Sequence, residues 1–212
     1  MPPTMDDLPP PPAWWRPVWI CLASTSPLPN VIPLLPHPPG IVWFLHTEGV
    51  ASQTVTARCR SLLRKRGIGK VFTQSVDPCD PMAVREAVHR IVGQNSPESV
   101  LLNYTGGTAP MIIAADRAMP SVAPRLHYDS IRGFMVDDAP YVCLPPYKTL
   151  SIEEHVFLHA GIRQIWTSNH VPNCASTATA IAEAARTDKF FLATLSRCPW
   201  SSDLHGALRQ LH

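Results

Sequence analysis

Four short apolar runs, separated by stretches with helical periodicity, constrain this chain more than any other feature. Val18-Trp-Ile-Cys-Leu-Ala23, Ile41-Val-Trp-Phe-Leu45, a segment opening at Val71-Phe72, and Ser99-Val-Leu-Leu102 are continuously apolar, the pattern of strands covered on both faces. In 50–66, Val55, Cys59, Leu62 and Leu63 recur at i, i+4, i+7 and i+8, one helical face, and Gly67 is placed to end it. In 80–93, Asp80 suits the N-cap and Pro81 the first helical position. Val84, Ala87, Val88 and Ile91 make the buried stripe, and Gly93 closes the helix. A further helix is expected from Pro110 to Met119. Strand and helix alternating at this spacing require right-handed crossovers. They predict an α/β, Rossmann-like, mainly parallel sheet with helices on both faces. After residue 120 the rhythm changes. Arg125-Leu-His-Tyr-Asp129, Gly133-Phe-Met-Val136 and Tyr141-Val-Cys-Leu144 are short strands with tight polar links, expected as an antiparallel extension.

These patterns divide the chain of 212 residues into three parts. Residues 1–16 are a Pro-rich flexible arm whose Pro9 to Pro12 favour an extended polyproline conformation. Trp14 and Trp15 follow, either stapling the arm to the domain or serving as a docking peptide. Residues 17–146 form the sheet domain. Residues 147–212 form a small helical segment, a linker or the start of another domain. Within it Ser151-Ile-Glu-Glu154 has the form of a capping box, opening a helix to about Gln164, and 175–185 is Ala-rich.

Charged residues are 16%, against about 25% in an average domain, while hydrophobic residues are 45%. That balance excludes a disordered polyelectrolyte and suggests a surface partly covered by a partner subunit or another domain. A net charge of +2 gives no global attraction to duplex nucleic acid, so any phosphate must be held by local geometry. The six cysteines form no Cys-x-x-Cys pair, and Cys21, Cys59 and Cys143 lie within apolar patterns, which suits free thiols in a reducing cytoplasm. No signal peptide, membrane span, metal site or cofactor is expected.

In an open parallel sheet, ligands bind beyond the carboxyl ends of the strands. Four turns stand there: Ser24-Thr25-Ser26-Pro27-Leu28-Pro29-Asn30, then His46-Thr47-Glu48-Gly49, then Ser75-Val-Asp77, then Asn103-Tyr104-Thr105-Gly106-Gly107-Thr108-Ala109-Pro-Met111. The fourth is the most informative. Gly106 and Gly107 allow close approach to the backbone, and their amides lead into a helix N-terminus that favours an anion. Thr105 and Thr108 add hydroxyl donors, and the Asn103 amide both donates and accepts. This chemistry suits a phosphate or a ribose. The competing reading is a strand-to-helix turn that needs glycine for its own sake. The first turn is also hydroxyl-rich, with Asn30 placed to cap the helix that follows. The first and fourth strands should be neighbours, putting both turns on one rim.

In this order and context, Ser26-Pro-Leu-Pro-Asn-Val-Ile-Pro-Leu-Leu35, Val42-Trp-Phe-Leu-His-Thr47, Leu101-Leu-Asn-Tyr-Thr-Gly-Gly-Thr-Ala-Pro-Met111 and Tyr128-Asp-Ser130 resemble CARF domains. These are the CRISPR-associated Rossmann-fold sensors of type III ancillary effectors, and the match is to those fused to nucleases. It covers about 17–144. The resemblance implies a homodimer that binds a cyclic oligoadenylate, most often the four-membered ring, across its two-fold axis. It also implies allosteric control of a fused effector in antiviral defence. A ring of identical nucleotides has rotational symmetry, so two copies of one rim can grip it with the same residues. The residues placed at the ligand are Ser24 to Asn30, Thr47 to Gly49, Asp77, Asn103 to Ala109 and Met111, with Glu48 and Tyr104 assigned to adenine by position only. The family commonly carries Lys after Gly-Gly-Thr, where this chain has Ala109 and Pro110. Some relatives cleave the ring with a ribose 2′-hydroxyl as nucleophile, which needs charge stabilisation at phosphorus. The missing Lys leads us to expect slow cleavage or none, and no catalytic residue is assigned.

Other constellations are less specific. His155 and His159 stand at i, i+4 but lack the His-Glu-x-x-His order. Arg58, Arg60, Arg64, Lys65 and Arg66 read as a solvated face or a nucleic-acid footprint, without interleaved aromatics in sequence. Asp203-Leu-His-Gly-Ala-Leu208 faintly resembles the first strand of adenosine-deaminase-like hydrolases, with Ala207 where a second His is usual. Three functions therefore compete. They are a ring sensor, a metal-independent ring nuclease positioned by Ser24, Thr25, Ser26, Asn103 and Thr105, and a scaffold without ligand.

Overall fold

The computed structural model describes residues 11–129, 133–137, 139–141, 150, 154, 157 and 158. The chain divides into two units, Met1–Cys143 and Leu144–His212. The strands are β1 (Val18–Leu22), β2 (Ile41–His46), β3 (Lys70–Ser75), β4 (Val100–Asn103), β5 (Arg125–Asp129), β6 (Gly133–Val136) and β7 (Ala139–Tyr141). The helices are α1 (Leu28–Val31), α2 (Val50–Lys65), α3 (Pro81–Gly93) and α4 (Ala109–Ala118), with 3-10 turns at Ile32–Leu34 and Pro97–Ser99. All these elements belong to the first unit. In the second, Glu154, Phe157 and Leu158 are helical, and Leu150 and Leu158 are buried. The remainder of the expected 151–164 helix, the 175–185 helix, the two histidines, the strand over 142–144, Ser130 and the Asp203 motif lie outside the described residues.

Among the described residues seven strands run in the order β3-β2-β1-β4-β5-β6-β7. β3, β2, β1, β4 and β5 are parallel, and β6 and β7 add antiparallel at one end. The fold is thus the α/β, Rossmann-like sheet that the apolar runs imply. One detail differs. β5 was expected in the antiparallel set, yet it pairs parallel with β4 at Leu102↔Arg125 and Asn103↔Leu126. The cause is α4, which carries the chain back across the sheet before β5 begins. The antiparallel pairs are β5–β6 and β6–β7.

One face of the sheet presents Val18, Ile20, Leu22, Leu45, Val100 and Leu102 to α3 and α4, whose Val84, Val88, Ile91, Met111 and Ala115 complete the core. α3 forms as its pattern predicts. Asp80 caps it, its carboxylate accepting from Met82 N at 2.9 Å and Ala83 N at 3.2 Å, and Val84, Ala87, Val88 and Ile91 are buried. α2 differs from expectation. Cys59, Leu62 and Leu63 are buried, but Ser52 and Thr56 share that face, while Val55 is only partly buried. Gly67 ends α2 with φ +91, a left-handed conformation that glycine adopts without strain. The arm from residue 11 is stapled. Trp15 Nε1 donates to His37 O at 2.9 Å, and the Trp14 and Trp19 rings lie 6.3 Å apart.

Candidate functional site

β1 and β4 are adjacent and in register, Cys21 beside Asn103. From β1 the sheet grows to β2 and β3 on one side and to β4 and β5 on the other, so strand order reverses between them. Ligands of open α/β sheets bind at the carboxyl ends beside such a switch point, and the turns after β1 and β4 both emerge there.

The two turns touch. A Cβ placed on Gly106 would stand 2.1 Å from Leu22 O and 3.0 Å from Ser24 N. A Cβ on Gly107, whose φ is +84, would meet the Leu22 side chain at 3.1 Å. The glycines are therefore required by the end of β1 itself, which approaches their backbone.

Asn103 locks the contact. It is fully buried, and its Nδ2 donates to Pro29 O at 3.2 Å and lies 3.5 Å from Asn30 Oδ1. Its Oδ1 accepts from Thr105 N at 3.1 Å and Thr105 Oγ1 at 2.6 Å. Asn30 does not cap the following helix. It lies within α1, 2% exposed, and its Nδ2 donates to Leu22 O at 3.2 Å. Both amides spend their hydrogen bonds on the chain, joining segments more than seventy residues apart.

The remaining site residues fall into two groups. Pro27, Leu28, Pro29 and Met111 are buried and shape the turns by packing. Ser24, Thr25, Ser26, Thr47, Glu48, Gly49, Tyr104, Thr105, Gly107, Thr108 and Ala109 are partly or fully exposed. Ser24 Oγ accepts from Ser26 N at 3.2 Å, a hydroxyl turn that presents Thr25 at its tip. Thr108 is the N-cap of α4 without a side-chain cap bond, and no acidic residue occupies the first turn. Pro110 removes one amide from that turn, so fewer N–H groups face the rim than an unbroken helix start would offer. Gly49 is the N-cap of α2. Asp77 is exposed, and its Oδ1 accepts from Cys79 N at 2.8 Å, a local turn leading to the Asp80 cap.

His127 escaped the sequence reading. Tyr104 Oη lies 3.0 Å from His127 Nδ1, and the rings stack with centroids 5.2 Å apart. The signal was available in the strand Arg125-Leu-His127, but it becomes informative only once β5 is parallel to β4. Among the described residues no group of His, Cys, Asp and Glu could hold a metal ion, and no helix is long and apolar enough to cross a membrane.

No family model matches the chain, and no curated protein does. Solved structures do. Can2 from Sulfobacillus thermosulfidooxidans, in complex with cyclic tetra-adenylate, aligns over 85% of this chain with TM-score 0.59 and 21% identity. A type III CRISPR defence DNA nuclease activated by cyclic oligoadenylate aligns over 89%, with TM-score 0.59 and 18% identity. Protein VC1899 from Vibrio cholerae aligns over 67%, with TM-score 0.54 and 14% identity. The chain spans 49%, 30% and 39% of those chains respectively, and at these identities the likeness is one of fold.

Proposed function

We propose that residues 17–146 are a CARF domain, a sensor of cyclic oligoadenylate, with cyclic tetra-adenylate the first choice of ring. The observation that carries this reading is the direct contact of the two hydroxyl-rich turns at the switch point. Ser24 to Ser26 and Thr105 to Thr108 stand on one rim, braced from beneath by Asn103 and Asn30. The fold shared with Can2 and with the cyclic-oligoadenylate-activated nuclease supports it.

In this reading two copies of the chain meet across a two-fold axis and hold the ring between their rims. Thr25, Thr105 and Thr108 hydroxyls and the α4 amides address phosphates and riboses, while Thr47, Glu48 and Gly49 flank the ring. Buried Leu28, Pro29 and Met111 keep the turns in place. The bound ring favours one dimer arrangement by its differential affinity and so controls an effector joined to the sensor. Cleavage of the ring is a minor property. Neither turn carries a Lys or Arg, so hydroxyls and amides position the ring while charge developing at phosphorus finds no cation from them.

Thermal-shift titration with cyclic tri-, tetra- and hexa-adenylate tests this. One ring size should raise the melting temperature, by an amount that grows with ligand concentration. No shift with any ring would leave a scaffold. Chromatography of the incubated ring should show it intact over many minutes, and rapid accumulation of linear product would make the chain a ring nuclease.

A further inference from the structure

Charge is segregated along this chain. No acidic residue lies between Glu48 and Asp77, yet Arg58, Arg60, Arg64, Lys65, Arg66 and Lys70 all fall there, in a protein of net charge +2. The fold brings the end of this run to an edge of the sheet. α2 stops at Lys65, and the chain turns through Gly67 into β3, which is the edge strand. Arg64 Nη2 donates to Val71 O at 3.3 Å, which lays its guanidinium along that strand. Lys70 opens β3 and is exposed. Further along, Arg90 of α3 donates through Nη2 to Gln74 Oε1 at 2.6 Å.

An aromatic shelf stands among these cations. Phe72 is 41% exposed and stacks on Trp43 of β2, with centroids 4.6 Å apart and 25° between the planes. Lys70, Phe72 and Gln74 alternate along the strand and so share one side, spanning about 13 Å at ~3.3 Å per residue. A solvated basic face accounts for the cations but leaves a large apolar ring on an edge strand, where proteins usually avoid one. A simple apolar docking patch accounts for the ring but not for cations before and after it. A ring backed by tryptophan and flanked by Arg and Lys matches what unpaired nucleotides require. A base stacks on the exposed ring face, and the phosphates on either side meet cations.

We propose that the β3 edge binds single-stranded nucleic acid, with a base on Phe72 and phosphates on Arg64, Lys70 and Arg90. Duplex is disfavoured, because its bases offer no free face to the ring. The edge is separate from the rim at β1 and β4, so the proposal stands or falls independently of ring sensing.

Fluorescence anisotropy with labelled single-stranded DNA, single-stranded RNA and the corresponding duplex, titrated with the full chain, tests it. Single strands should bind more tightly than duplex, and comparing the DNA and RNA arms identifies the sugar. Phe72→Ala should weaken binding roughly fivefold or more, while Phe72→Trp retains it. Lys70→Gln should reduce the slope of log affinity against log salt by roughly 0.7, the share of one phosphate contact. Melting curves of the three variants check that the fold is kept. Absence of binding at low salt, equal affinity for duplex, or an unchanged affinity in folded Phe72→Ala would overturn the proposal.

Discussion

At the scale of single residues, the rim depends on groups that face inward. Asn103 is the clearest case. Asn103→Asp keeps the acceptor for Thr105 but loses the donor to Pro29 O and buries a carboxylate. It should lower the unfolding free energy by about 1–3 kcal/mol, read by urea denaturation. Gly106→Ala forces a methyl group against Leu22 O and should destabilise by about 1–3 kcal/mol; a stability equal to that of the parent would contradict the close contact. The sequence pointed to both glycines as positions that exclude a side chain. It could not say that Leu22, rather than a ligand, is what excludes it, because the partner lies more than eighty residues away. The cysteines show the same inward logic. Burial, and then the neighbouring Cys59, raise the Cys21 thiol far above its usual range, and burial pushes Cys59 up to about 12. Thiolate is the reactive species. Iodoacetamide at mildly alkaline pH should therefore label exposed Cys79 in the native protein, and Cys21 and Cys59 only after denaturation, by peptide mass. A group whose pKa is raised by folding stabilises the fold fully below its unfolded value, here 9.0, and loses that contribution as pH rises toward about 12. These thiols should thus leave stability flat through neutral pH and erode it in strong alkali.

At the scale of elements, legibility followed the number of local signals that agreed. α3 carried a cap, an N-terminal proline and a four-membered apolar stripe, and all three hold in the structure. Asp80→Ala should cost about 0.5–2 kcal/mol in the unfolding free energy by removing the bonds to Met82 N and Ala83 N. α2 carried an apolar pattern and a closing glycine but no N-terminal signal, and its buried face is turned toward Ser52 and Thr56, whose hydroxyls find no hydrogen-bond partner among the described residues. Apolar periodicity has no means of choosing a buried threonine over a half-buried valine. The direction of β5 depends on the crossover before it rather than on its own residues, so short strands with polar links looked alike. Arg125 fixes that strand. Its guanidinium bonds Asp116 Oδ1 at 2.9 Å, Pro120 O at 2.9 Å and Ala123 O, and its backbone N donates to Asp137. Arg125→Met should destabilise by about 1–3 kcal/mol, chiefly through the carbonyls left without donors, and a change within error of zero would show the cluster to be inert.

At the scale of the whole molecule, strand order does the work that no motif does alone. The neighbours β1 and β4 bring turns from residues 24–30 and 103–111 together, and strand order reverses between them. That adjacency was legible because alternating strands and helices leave few right-handed topologies. Which side chains point outward was not, since the sequence does not show that Asn30 and Asn103 bond to backbone. In the proposed reading two rims pair across a cyclic ligand, so ring and chain should combine in a fixed ratio. Isothermal calorimetry of cyclic tetra-adenylate against the full chain measures that ratio together with affinity. The account predicts saturation at one ring per two chains, with affinity reduced in Asn103→Asp. Saturation at one ring per chain, or no heat at any concentration, would contradict it.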